Sequence, residues 1–202
     1  MTTLVSHSLA RLMLIAATAI ALGSTATVAQ SPAVAGGSPL PSMAAGASPS
    51  APSVPIAPAD PDLEARLPHT VGGQPLAIES HMGAAIFTGV DQTALQPLVD
   101  GLAAQGKTMA DLSIAVGHNE DYSVAITAVR VPGADAGALI ASILQMAPAE
   151  EQIVQTQATI AGKAMTTVTD STGAQQFYAV GDTLWIIRAV EPALSEIIAG
   201  LH

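Results

Sequence analysis

Two periods of apolar residues run through the last two thirds of this chain. Leu95, Leu98, Val99 and Leu102 recur at i, i+3, i+4 and i+7, the single stripe of an amphipathic helix. Thr93-Ala94-Leu95-Gln96 has the form of a capping box. Pro97 is expected in the first turn, where its missing N–H costs least, and Gly106 is the expected stop. A second helix is predicted from about Asp135 to Ala147, with Leu139, Ile140, Ile143 and Leu144 inward. A third opens at Pro192, a residue suited to a helix start, and turns Leu194, Ile197, Ile198 and Leu201 to the core.

The remaining apolar runs read as strands: Leu76–Ser80, Ser113–Gly117, Tyr122–Val131, Val154–Ile160, Lys163–Thr169, Gln175–Val180 and Thr183–Val190. Several are joined by short turns. Ala161-Gly162 and Gly181-Asp182 are two-residue connections, and Gly181 before Asp182 suits a type II′ hairpin. Strands joined so tightly must be antiparallel. The run from Glu151 to Val190 has no helix between its strands, which argues against a parallel βαβ sheet. The predicted fold is α+β: an antiparallel sheet of about six to eight strands, with three helices packed mainly on one face. A faint repeat divides it into two related strand-rich halves. Thr70-Val71-Gly72-Gly73 resembles Thr159-Ile160-Ala161-Gly162. Val124–Thr127 leading to Pro132 also matches Leu184–Ile187 leading to Pro192.

The start of the chain has a different pattern. Met1–Arg11 carries one basic side chain, Leu12–Leu22 is apolar, and Gly23–Ala29 is rich in small residues. This is the order of a secretory signal peptide, with cleavage expected after Ala29. The apolar core is well short of the roughly 20 residues that span a bilayer. Residues 1–29 are therefore assigned as a signal peptide. Residues 30–62 form a Pro/Ser/Ala-rich tether without apolar periodicity, expected to be disordered. Residues 63–202 form one α+β globular domain.

Charge narrows the choice of partners. The chain of 202 residues has a net charge of −10, from 6 basic and 16 acidic residues. Nucleic acid and anionic lipid, which need clustered Lys and Arg, are poor candidates. Cysteine is absent, so disulfides, thiolate chemistry and Cys-ligated zinc are excluded. With one Trp, two Tyr and two Phe, stacking platforms for bases or sugars are not expected. The core must be built from Ala, Val, Ile and Leu.

Candidate chemistry is sparse. Glu79 and His81 lie two apart on a strand and so share a face. With His69 they are the candidate metal ligands, although zinc needs three or four groups. His118-Asn119-Glu120-Asp121 offers oxygen ligands but lacks a calcium-loop pattern, and reads as a hairpin turn. Asp170-Ser171-Thr172-Gly173 resembles the Asp-Ser/Thr-Gly triplet of aspartic proteases, in a single copy without the apolar signature around it. Asp-x-x-Gly also makes a type I turn. Phosphate loops, dinucleotide fingerprints and nucleophile elbows are absent. Trp185 reads as core. Arg130 and Arg188 are expected to pair with acidic neighbours such as Glu191.

These observations predict a secreted or envelope-exterior, non-catalytic binding module on a flexible tether. It has no assigned catalytic residue or cofactor. Its partner would be an envelope or extracellular protein or a small ligand, with no membrane insertion after cleavage. The alternatives are an exported hydrolase or metal-dependent enzyme, and an anchored sensor or accessory subunit that keeps its N-terminal helix.

Overall fold

The computed structural model describes residues 59–87, 90–147 and 152–201. The segments predicted as a signal peptide and, nearly all of it, as a tether lie outside the described residues. Seven strands form one antiparallel sheet: β3 (Ala77–Met82), β4 (Ser113–His118), β5 (Ala125–Arg130), β6 (Val154–Ile160), β7 (Lys163–Asp170), β8 (Gly173–Val180) and β9 (Thr183–Arg188). Their spatial order is β3-β4-β5-β9-β8-β7-β6. A small hairpin, β1 (Thr70–Val71) with β2 (Gln74–Pro75), stands apart from it. Four α-helices complete the described part: α1 (Pro61–Glu64), α2 (Gln92–Ala103), α3 (Ala136–Gln145) and α4 (Ala193–Gly200).

The α+β class and the antiparallel sheet are as predicted, and each predicted strand is present. The helix placement differs. Helices α2 and α3 cover one face through Leu95, Leu98, Leu102, Leu139 and Ile143, packed on Ile114, Val116, Val129, Phe177 and Ile186. The C-terminal helix does not join them. α4 lies on the opposite face with α1, where Leu63, Leu194, Ile197 and Ile198 pack on Ile126, Trp185 and Ile187. A sequence signal for this exists. Leu184-Trp185-Ile186-Ile187 is an unbroken apolar run, and these four residues are at most 4 % exposed. A strand covered on both faces reads that way.

Read outward from the β5–β9 pair, the order β5-β4-β3 mirrors β9-β8-β7, in keeping with the faint repeat. The helices break the symmetry. A dyad normal to the sheet would put the helices that follow β5 and β9 on the same face, yet α3 and α4 take opposite faces.

The helix caps explain the remaining shifts. Asp91, not Thr93, caps α2: its Oδ1 accepts from the Thr93 N–H at 2.9 Å. The helix therefore begins at Gln92 and Pro97 sits in its interior, beyond the expected first turn. Val99 is 37 % exposed, so the inward stripe is Leu95, Leu98 and Leu102. Gly106, at φ +69°, closes the helix. Lys107 N–H reaches Leu102 O, and Gly106 N–H reaches Ala103 O, both at 2.9 Å, the paired bonds of a Schellman motif. Asp135 caps α3 through Gly137 N–H at 2.8 Å. Pro192 precedes α4 at its N-cap position. At the hairpins, Ala161 and Gly162 both have positive φ, as do Gly72 and Gly73, which a type I′ turn requires.

The fold also starts earlier than expected. Asp60 Oδ1 accepts from Leu63 N–H at 2.9 Å, Asp60 N–H donates to Ser80 Oγ at 2.9 Å, and Ser113 Oγ donates to Asp60 Oδ2 at 2.7 Å. Leu63 is fully buried. Asp60 to Asp62, read as the end of the tether, are thus the cap and first turn of α1.

Candidate functional site

Strand β3 places Glu79 and His81 on one face, as period-2 alternation requires, with Glu79 Oε2 4.0 Å from His81 Nε2. Both are about one third exposed. His69 does not join them. It is exposed and leads into the β1–β2 hairpin, which packs with α1 and α4 on the opposite face through Val71 and Leu76. Among the described residues no three His, Asp or Glu groups gather as a metal site would need.

The His118–Asp121 segment is built as a turn. Asn119 is 5 % exposed. Its Oδ1 accepts from Val124 N–H at 3.0 Å, and its Nδ2 donates to Ser123 Oγ at 2.9 Å and Gln74 Oε1 at 3.3 Å. These bonds hold the chain back until Ala125, so β5 begins three residues later than its apolar pattern suggested. The His118 ring stacks on Tyr122 at 4.2 Å. Hydrogen bonds from the Ser123 side chain and backbone hold the Asp121 carboxyl below its ordinary value. Asn119 therefore spends its oxygen on the turn itself.

Asp170-Ser171-Thr172-Gly173 connects β7 to β8, with Ser171 and Thr172 at the tip. Asp170 Oδ1 accepts from both Thr172 N–H and Thr172 Oγ1 at 2.6 Å, the side-chain-to-backbone bond of an Asx turn. Trp185 is fully buried, as expected. The guanidinium of Arg66 lies 5.8 Å from its ring centroid. Arg130 pairs with Asp182 (Nε to Oδ2, 3.3 Å) and with Asp60 (3.9 Å), not with Glu191. Arg188 donates to Thr172 O at 3.3 Å. Glu191 instead accepts from Ser195 Oγ at 2.9 Å and from Ser195 N–H at 3.2 Å, at the start of α4.

Two concavities are formed by the described residues. A cleft of about 450 Å³ opens between residues 65–71 and α4, over the buried side chains of Leu67, Val71 and Ile197. Its charged groups are committed to the fold. Arg66 Nη1 donates to Thr183 Oγ1 at 2.9 Å, and Glu196 Oε2 accepts from Gly72 N–H at 3.0 Å. A groove of about 560 Å³ lies between α3 and the β6–β7 strands. Ile140 and Leu144 form its helix wall, and Gln155, Gln157 and Thr166 its strand wall. Among the described residues no charged side chain lines it.

That groove runs beside the most distinctive surface of the molecule. Among the described residues β6 is the last strand of the sheet and pairs only with β7, through all seven residues from Val154 to Ile160. Alternate residues therefore direct N–H and C=O away from the sheet. Natural edge strands are usually blunted by charge, proline or a bulge. Val-Gln-Thr-Gln-Ala-Thr-Ile contains no charge, proline or glycine, and Val154 is 58 % exposed. The opposite edge, β3, carries Glu79 and His81 and packs against α1. Sequence reasoning missed the β6 edge because position in a sheet is not written in a strand. The available signal was the lack of charge: between Asp135 and Lys163 the only charged residues are Glu150 and Glu151.

Comparison with known proteins returns no matching family model, no similar curated protein and no similar solved structure.

Proposed function

We propose that this chain is an exported, non-catalytic interaction module, held away from its point of attachment or release by the Pro/Ser/Ala-rich tether. The observation that carries the reading is the open β6 edge beside an uncharged groove. A seven-residue edge without gatekeepers exposes the fold to strand pairing and persists at low cost only where pairing is its use. Depletion of charge around it is the composition of an interface centre. The export pattern of residues 1–29 supports a site of action outside the cytoplasm.

The test is affinity capture of the tagged native protein from its own envelope fraction, beside a Thr156→Lys variant that places an ammonium on the edge. The expected result is a bait whose mature N-terminus lies near Gln30, with a reproducible protein partner (another protein, or a differently tagged copy of the chain expressed beside it) recovered by the native chain and lost by the variant. A bait retaining Met1–Arg11 would replace the tethered reading with an anchored one. Recovery indifferent to the variant would remove β6 as the binding surface.

A further inference from the structure

We propose that the β6 edge pairs with the β6 edge of a second copy of this chain, joining two seven-stranded sheets into one continuous sheet across a dyad at Gln157. This rests on the reading of β6 as the interaction surface and names its occupant.

The strand is roughly symmetric about its centre: its ends are both apolar and β-branched, the next pair is polar, and the inner pair is small. About Gln157, Val154 answers Ile160, Gln155 answers Thr159, and Thr156 answers Ala158. Antiparallel pairing of identical strands sets each of these residues opposite its counterpart on the other copy, on the same face of the sheet. Val154 then meets Ile160, an apolar β-branched pair of the kind that stabilises neighbouring strands. Gln157 meets itself: its Nε2 gives one N–H to Thr166 Oγ1 at 2.9 Å within its own sheet, and the second N–H and the oxygen of the amide are a donor and an acceptor that complement the same pair on the other copy. A foreign strand would not require this symmetry.

Charge allows the approach. Two copies of a chain at −10 repel in general, but like charges directly opposite are absent along a strand that has none. The described chain enters through α1, which packs on β3 and β4, six strand spacings or roughly 29 Å across the sheet from β6. The opposite edge bears Glu79 and His81, so pairing closes at two copies instead of growing into a ribbon. An interface of one strand pair is small, so the equilibrium is concentration-dependent.

Sedimentation of the exported chain over micromolar to millimolar loading tests this, together with charged variants. Thr156→Lys/Ala158→Lys places ammoniums opposite each other across the dyad, and Thr156→Glu/Ala158→Glu does the same with carboxylates. Each alone should weaken the dimer more than about tenfold, and an equimolar mixture should restore it. Thr156 is exposed and Ala158 partly so, and circular dichroism checks that each variant folds. Because the chain has no cysteine, Gln157→Cys with oxidised glutathione should cross-link to a dimer. Val190→Cys, at a site 75 % exposed, should not. A monomer at every loading, a dimer untouched by edge charge, or a ladder of larger species would each overturn the proposal. If the chain is a monomer while capture from the envelope remains sensitive to Thr156→Lys, the dimer falls and the interaction-module reading stands.

Discussion

Helices α2 and α3 cross at Gly101, and a single methyl there tests how closely they are packed. A Cβ built on Gly101 would stand 2.0 Å from Ser142 Oγ and 2.8 Å from Ser142 Cβ. Rotating Ser142 about χ1 relieves the first contact but not the second, because the backbone fixes Cβ. To reach an ordinary 3.4 Å the helices must separate by at least about 0.6 Å. That shift disturbs Leu98, Leu102, Leu139 and Ile143, each no more than 2 % exposed. Overpacking of this kind costs about 1–3 kcal/mol. Alanine in place of glycine inside a helix recovers about 1 kcal/mol. Gly101→Ala should therefore destabilise the protein by about 1 kcal/mol and at most about 2, a fall in Tm of about 4 °C for each kcal/mol at this size.

The same methyl changes sign when its obstacle is removed. Ser142→Gly deletes both contacting atoms, so Gly101→Ala in that background should be neutral or stabilising by up to about 1 kcal/mol. Urea unfolding of the four proteins, followed by far-ultraviolet circular dichroism, closes the double-mutant cycle. An increase in stability from Gly101→Ala in the wild-type background, or equal effects in both backgrounds, would refute the close approach of α2 and α3.

Two further substitutions probe the opposite face. Leu63 is fully buried beside residues that read as tether, so Leu63→Ala should cost about 2–5 kcal/mol. Val190→Ala, at an exposed position, should stay within about 0.5 kcal/mol, and equal unfolding midpoints for the two would detach α1 from the fold. At Asp182, burial pushes the carboxyl up, but hydrogen bonds from Thr183 and Arg130 and the charge of Arg130 outweigh it and hold the group below its ordinary 3.8. A carboxyl with a depressed folded-state pKa adds stability that is fully present above its unfolded value and lost as pH falls through the folded one. Asp182→Asn should thus lower stability by up to about 1 kcal/mol at neutral pH and match wild type at a pH well under the folded-state value, itself below 3.8. Unfolding curves that differ equally at both pH values would contradict the pairing with Arg130.

The local plan of this protein was legible in its residue order. Periodicity at Leu95–Leu102 and Leu139–Leu144 marked two helices, and Asp135 and Gly106 marked ends. Turn chemistry at Ala161-Gly162 and Gly181-Asp182 set antiparallel hairpins. Such features depend on contacts a few residues apart, so the chain states them directly. Where Asp91 competed with Thr93 for a helix cap, or Asn119 delayed a strand, the competitors sat side by side and the stronger hydrogen bond prevailed, a choice that pattern alone ranks poorly.

What the residue order left open depends on distant partners. α4 was recognisable as a helix, but its side of the sheet was settled by which face of β9 remained free, Trp185 and Ile187 being left for it once α2 and α3 had covered Ile186. Glu79 and His81 were correctly placed on one face, yet whether His69 reached them turned on the hairpin's packing with α1 and α4. β6 looked like any other strand, and its exposure follows from ending the sheet. Strand order and layer assignment arise from long-range burial, a global competition among apolar surfaces that no local window contains. Among the described residues that competition left one uncharged edge, β6, at the end of the sheet.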